Sequence, residues 1–250
     1  MNTEKYINLF CIPSAGSSAS IYYNWDKKIN DNIKVIPLEY PGHGRKIKEQ
    51  LINDPDKLAE IFIQEIKSFG DKKFILFGHS VGASLLWRIE EKLKEEEIYN
   101  NLSLLIVSSR PTPDYQSSIN NYGNMNDDEL IHELKIYNNF PDEILDNKSA
   151  LEFFLKIIKN DFILSDRMIN EKIEITKKPL ISIYGKDDPY IQHHEIMESW
   201  NKYSEKWFGS YALEGNHFYF MNQDILLNTL QIIQSNTEKS LYSKIQETTD

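Results

Sequence analysis

Between the apolar run Phe74-Ile75-Leu76-Phe77 and the helix-like stretch Ala83-Ser84-Leu85-Leu86-Trp87-Arg88-Ile89 stands the pentapeptide Gly78-His79-Ser80-Val81-Gly82. A strand, a tight turn and a helix in so short a span bring two backbones together. The turn closes only if bulk is absent two residues on either side of its centre, and Gly78 and Gly82 meet that need. In this setting G-x-S-x-G is a nucleophile elbow, which holds the central serine, Ser80, on a strained corner at the end of a strand. The pentapeptide alone also arises by chance in loops. Its flanking strand and helix set it apart from an ordinary helix-start serine.

Apolar runs and amphipathic segments alternate along the rest of the chain, the signature of a parallel α/β sheet flanked by helices. Strands are predicted at Ile7–Pro13, Ile33–Leu38, Lys73–Phe77, Leu102–Ser108, Pro179–Tyr184 and Lys206–Leu213. Asp54-Pro55 reads as a helix cap followed by proline at the first helical position, with Leu58, Ile61, Phe62, Ile66 and Phe69 at helical spacing behind it. Further helices are expected over Ile191–Tyr203 and from Gln223 to Ile233, with a polar tail at Ser235–Asp250 that is frayed or a loose helix. From Thr112 to Lys172 no strand is legible. This insertion is helical, is entered through Pro111 and Pro113, and carries apolar residues from Leu130 through Tyr137, Phe140, Ile144 and Leu145 to Phe162 and Ile163. Placed after a strand near the catalytic edge it reads as a lid, the alternative being a helical subdomain that only packs. The whole is expected to be a single domain of 250 residues.

The net charge of −10 argues against non-specific binding to nucleic acid or an anionic membrane. An acidic partner would need a local basic patch, for which Arg45, Lys46, Lys48 and Arg110 are candidates beside their ordinary role as solvated surface. No stretch approaches the roughly 18 apolar residues of a membrane helix, no leader is legible, and the lone Cys11 rules out an internal disulfide. These features favour the cytoplasm, and nothing demands more than a monomer.

A serine hydroxyl needs a base, and the base an orienting carboxylate. In the α/β-hydrolases these follow in the order Ser, Asp/Glu, His. Of the later histidines, His217 stands in Leu213-Glu214-Gly215-Asn216-His217-Phe218, after a strand and before the final helix, where a loop can carry its ring to the serine. His132 lies in the charged part of the insertion and reads as solvated. The neighbours His193 and His194 suggest a metal pair, but adjacent helical residues do not face one point and no further ligand accompanies them. For the acid, Asp187 and Asp188 both follow the strand ending at Tyr184. Asp188 is preferred because Pro189 restricts its backbone and fixes its direction, although Asp before Pro is also a common turn. The oxyanion donors are expected to be the backbone N–H groups of Val81, at the helix start, and Ala15, in the small-residue loop Pro13–Ser18. Cys11 reads as a buried apolar residue.

The segment Leu9-Phe10-Cys11-Ile12-Pro13-Ser14-Ala15-Gly16-Ser17-Ser18-Ala19-Ser20, Trp25 and Tyr40-Pro41-Gly42-His43-Gly44-Arg45 resemble the type II thioesterases, stand-alone α/β-hydrolases that accompany nonribosomal peptide and polyketide synthases. The elbow, Ser109-Arg110-Pro111 with Pro113, Asp161, Gly185–Asp188 and Gly215-Asn216-His217-Phe218 follow in the family's order, so that the resemblance spans roughly residues 7 to 233. It departs at Ser14, where the family often has an aromatic residue or His, at Ser17, often glycine, and at Val81, often Met; these bear on the mouth of the pocket.

The resemblance implies the α/β-hydrolase fold and hydrolysis of acyl, aminoacyl or peptidyl groups from the phosphopantetheine arm of acyl or peptidyl carrier proteins. It also implies Ser80, Asp188 and His217 as catalytic triad and Ala15 and Val81 as oxyanion donors. No metal or dissociable cofactor is expected, since phosphopantetheine arrives on the substrate protein. Rival readings are a medium-chain fatty-acyl thioesterase, a carboxylesterase, a dedicated chain-release or acyl-transfer enzyme on the same fold, and a pseudoenzyme that only docks to a synthase.

Overall fold

The computed structural model describes residues 6–115, 122–136, 144 and 146–247. The apolar positions expected at Tyr137, Phe140 and Leu145 of the insertion, and the last three residues of the tail, lie outside them. Six strands form one sheet: β1 (Ile7–Ile12), β2 (Ile33–Pro37), β3 (Phe74–His79), β4 (Leu102–Ser108), β5 (Thr176–Gly185) and β6 (Ser204–Leu213). Their order is β2-β1-β3-β4-β5-β6 and every neighbouring pair is parallel. The expected strands are all present. β5 starts earlier than Pro179, which sits where the β5–β6 register shifts and ahead of the first β4 pairing at Leu180.

Parallel strands are covered on both faces, and their side chains alternate between two cores. Phe10, Ile12, Phe74, Leu76, Leu105, Val107 and Leu180 face α1 (Pro55–Lys67) and α2 (Val81–Leu93). Leu9, Cys11, Ile75, Phe77, Leu104, Ile106, Ile181 and Ile183 face Tyr22, Trp25 and the last helix. The cap of α1 is as the sequence implies: Asp54 accepts the N–H groups of Asp56 and Lys57, and Pro55 opens the helix. Trp25 packs edge-on against Tyr22, Phe77 and Phe220, a cluster seated beneath the elbow strand.

The insertion carries α3 (Asp127–Ile136) and α4 (Lys148–Asp166), and no strand among its described residues. Tyr122, Leu130, Leu155, Ile158 and Phe162 make a small core of their own, against which Ala15 packs. Two helical expectations change. The segment expected as one helix from Ile191 to Tyr203 is a short α5 (His194–Glu198) running into a 3-10 turn over Ser199–Tyr203. The last helix does not end at Ile233: α6 runs from Gln223 to Glu247, so of the two readings of the tail the helical one holds as far as Glu247. Its polar residues Asn236, Thr237 and Ser240 are buried, and each satisfies itself on the helix, at Ile232 O, Ile233 O and Thr237 O. Asn236 also pairs with the Tyr211 hydroxyl of β6.

Strand order reverses at β1. The chain steps from β1 outward to β2, then crosses back to place β3 on the other side of β1. Such a switch point leaves a crevice at the carboxyl ends of the two strands, because the loops leaving them diverge. Here those loops are Pro13–Ser18 and the elbow.

Candidate active site

Ser80 closes β3 with φ 54° and ψ −118°, a conformation a non-glycine residue rarely holds. Hydrogen bonds on both sides fix it there: its N–H donates to Ser108 O at 2.8 Å, and its carbonyl accepts the Ala83 N–H at 2.9 Å. The elbow glycines are demanded by close backbone approach. A Cβ on Gly78 would lie 2.4 Å from Gly82 O, and one on Gly82 would lie 2.4 Å from Ile12 O. Gly82 therefore lets the first turn of α2, with the Val81 amide, settle against the end of β1 and the loop that carries Ala15. Tyr40 and Tyr22 hold that strand end through hydroxyl donations to Pro13 O at 3.0 Å and Ile12 O at 3.1 Å.

Across the crevice, the loops after β5 and β6 are zipped together: Lys186 N–H donates to Leu213 O at 2.8 Å and Asp187 N–H to Gly215 O at 2.9 Å. Gly185 permits the contact, since a Cβ there would meet Asn216 O at 2.1 Å. The join brings His217 Nδ1 within 2.7 Å of Asp188 Oδ2, both side chains being buried. With Nδ1–H donated to the carboxylate, the lone pair of a neutral ring falls on Nε2. Asp188 accepts the Tyr190 N–H through its other oxygen at 3.1 Å, a turn built around Pro189, whereas Asp187 is exposed. Of the two aspartates, Asp188 is the one the fold pairs with His217. The His217 ring lies 4.9 Å, centroid to centroid, from that of His79, the residue before Ser80. The loop has carried the imidazole to the elbow.

Behind the serine runs a buried chain that the sequence alone does not reveal: His79 Nδ1 to Ser108 Oγ at 2.9 Å, and Ser108 Oγ to Tyr219 Oη at 2.8 Å. Burial, and secondly the neighbouring His217, push the His79 pKa well below its usual value, so this ring is neutral. Burial likewise raises the Cys11 thiol, in keeping with an inert apolar role.

Other carboxylates missed by sequence reasoning organise the crevice walls. Buried Glu39 accepts the N–H groups of Ala19 and Arg45. Glu133 on α3 accepts the Tyr190 hydroxyl, tying the insertion to the Asp188 loop. Asp161 on α4 accepts the Gly16 N–H at 2.8 Å and the His43 Nε2–H at 2.8 Å. Of the three only Asp161 is singled out by the sequence, in the order of the resemblance and without a role; Glu39 and Glu133 carry no local signal.

The remaining candidates stand apart. His132 is exposed on α3; His193 and His194 are exposed at the start of α5, with His194 bonded to Tyr184 Oη and facing Glu198. Lys46 pairs with Glu65, Arg110 donates to Ser165 Oγ, and Arg45 and Lys48 are exposed. Among the described residues no group of three or more His, Cys, Asp or Glu is placed to hold a metal ion, and no helix is long and apolar enough to cross a membrane.

Comparison with known proteins places this arrangement. The gramicidin S biosynthesis protein GrsT of Aneurinibacillus migulanus is 25% identical, over 88% of this chain and 85% of its own. The solved structure of ClbQ from the colibactin NRPS/PKS pathway superposes with a TM-score of 0.83 at 23% identity, covering 95% of this chain and 99% of ClbQ. YbtT, the type II thioesterase from the yersiniabactin NRPS/PKS pathway, superposes with a TM-score of 0.81 at 21% identity, covering 94% of each chain. These structures share the α/β-hydrolase fold seen here. A family model for the thioesterase domain matches residues 7–236, from the first strand through the elbow and both late loops into the last helix, and the chain belongs to that family.

Proposed function

We propose that this protein is a type II thioesterase, which hydrolyses acyl, aminoacyl or peptidyl thioesters from the phosphopantetheine arm of carrier proteins in nonribosomal peptide or polyketide synthesis. The observation that carries the chemistry is the buried Asp188–His217 pair, 2.7 Å apart, delivered beside the strained Ser80. The origin of the substrate rests on the names of the relatives: GrsT serves gramicidin S biosynthesis, and ClbQ and YbtT come from NRPS/PKS pathways.

In this reading His217 Nε2 takes the Ser80 hydroxyl proton as Oγ attacks the thioester carbonyl. The tetrahedral oxyanion is held by the N–H groups of Ala15 and Val81. Collapse expels the carrier's thiolate, which leaves with the proton from His217. Water, deprotonated by His217, then attacks the acyl-serine, and the acid departs as Ser80 recovers its proton. Asp188 holds the imidazole in the reactive tautomer and stabilises its cation. The sulfur leaves as a good leaving group, so these side chains suffice without a dissociable cofactor. The insertion around 112–172 acts as lid over the acyl group, and the enzyme works as a cytoplasmic monomer.

Hydrolysis of a panel of acyl groups, loaded on a phosphopantetheinylated carrier protein and in parallel on a small thiol, tests the assignment. Faster release from the carrier over several short acyl groups is expected. Equal rates on both would instead mean a general acyl hydrolase, and selectivity for one chain a dedicated release step.

A further inference from the structure

Asp161 lies outside the Ser80–His217–Asp188 constellation, on α4 of the insertion, yet its side chain reaches into the loop after β1. There Oδ2 accepts the N–H of Gly16, the residue next to Ala15, at 2.8 Å. The same oxygen accepts from His43 Nε2 at 2.8 Å, and both side chains are about 3% exposed. The other His43 nitrogen, Nδ1, sits 3.1 Å from the carbonyl of Pro41. Both ring nitrogens face acceptors, so both carry protons, and the ring is a cation clamped between two oxygens. Asn160 donates to the second Asp161 oxygen at 3.2 Å and to Ile52 O at 3.1 Å, which fixes the carboxylate from its other side. On the same helix face Ile158 packs on Gly16, leaving so little room that a Cβ there would lie 2.6 Å from Ile158 Cγ1.

A carboxylate offers about four acceptor sites, and beside His43 and Asn160 Asp161 gives one of them to the loop after β1, 145 positions away in sequence. The loop Pro13–Ser18 is short and rich in small residues; a Ser17 N–H to Ser14 O bond of 3.2 Å closes its turn, and Asp161 holds the Gly16 N–H from outside it. Accepting the Gly16 N–H fixes the plane of the Ala15–Gly16 peptide, and with it the ψ angle of Ala15. Resting on the acyl-serine reading above, we propose that Asp161 is a positioning residue for oxyanion stabilisation: it locks the Ala15–Gly16 peptide to the insertion, with His43 holding the carboxylate in place, so that the Ala15 N–H points at the developing negative charge.

A donor that drifts by about 1 Å costs on the order of 10²-fold in rate, and the loss should appear in kcat. Asp161→Ala is therefore expected to lower kcat for a small acyl thioester about 30- to 100-fold with KM within twofold. Asp161→Asn keeps an oxygen for Gly16 and should stay within fivefold of the parent. The second readout is inhibition by a short alkyl boronic acid, whose boron is attacked by Ser80 Oγ as His217 takes the proton, giving a tetrahedral boronate anion with a hydroxyl where the oxyanion forms. Its Ki should rise in Asp161→Ala in step with the fall in kcat/KM, and not in Asp161→Asn.

A folded Asp161→Ala with parental kcat and boronate affinity overturns the proposal. So does a change confined to KM, or an Asp161→Asn variant that loses as much as the alanine. Should Asp161→Ala not fold, Asp161→Leu, close in size but without an oxygen for Gly16, takes its place: the same 30- to 100-fold loss of kcat is expected, and parental kcat in the folded protein overturns the proposal. Ser80→Ala distinguishes the two levels, because residual turnover at the parental rate would remove the acyl-serine reading itself, whatever Asp161 does.

Discussion

At the residue scale, strain and function meet in one dihedral pair. Ser80 holds φ 54° and ψ −118° because β3, β4 and α2 over-determine it. A glycine would adopt that conformation without the steric penalty, so Ser80→Gly should raise folding stability by about 1 kcal/mol while removing the nucleophile. Urea unfolding of the two proteins checks this; a glycine variant less stable than the parent would mean the corner is not strained. Much at this scale is legible in sequence, since Ser80, His217 and Asp188 announce themselves by spacing, by flanking strands and by Pro189. Their supporting partners do not. Asp161 is separated from Gly16 by 145 positions and Ser108 from Tyr219 by 111, and no local pattern encodes a contact made by the fold as a whole.

At the element scale the strands were readable because each is an apolar run buried on both faces. Helices were read less fully, and α6 shows why. Beyond Ile233 its sequence turns polar, Ser235-Asn236-Thr237-Glu238, which suggests a frayed tail or a loose helix. Yet Asn236, Thr237 and Ser240 lie buried, with their polar atoms returned to the helix or to Tyr211. Polarity signals exposure only where a side chain lacks an internal partner. Asn236→Leu would remove both donations and leave the Tyr211 hydroxyl short of a partner, so a loss of about 1–3 kcal/mol in stability is expected, against a surface-like change within 0.5 kcal/mol if this part of α6 is loosely held. Thermal unfolding separates the two. The insertion was legible as helical, and its ties through Glu133 and Asp161 to the loops beside the site give it a physical link to the chemistry.

For the whole molecule, the site exists because the sheet reverses its order at β1, so that loops from β1, β3, β5 and β6 converge at one edge. The convergence leaves a buried ion pair, His43 with Asp161, whose stability depends on pH. Burial opposes charge on His43, but the hydrogen bond and charge of Asp161, the Pro41 carbonyl and Glu39 outweigh it and raise the pKa above its usual 6.5. In the unfolded chain the value returns to about 6.5. The native state thus binds this proton more tightly, and the stabilisation is complete below about pH 6.5 and is lost as pH rises through the higher folded value. The stability difference between the parent and His43→Gln should shrink as pH rises across that range. A difference that grows with pH would contradict the assignment of the cation.

The proposed chemistry requires that one acyl-serine, on Ser80, forms at this crevice. Rapid mixing of an acyl-loaded phosphopantetheinyl carrier protein with the enzyme, acid quenching and peptide mass spectrometry test it most directly. A transient acyl mass increment is expected on the peptide containing Ser80, absent from Ser80→Ala and decaying at the rate the free acid appears. Acid released at the parental rate by Ser80→Ala, or an acyl group found on another residue, would contradict it.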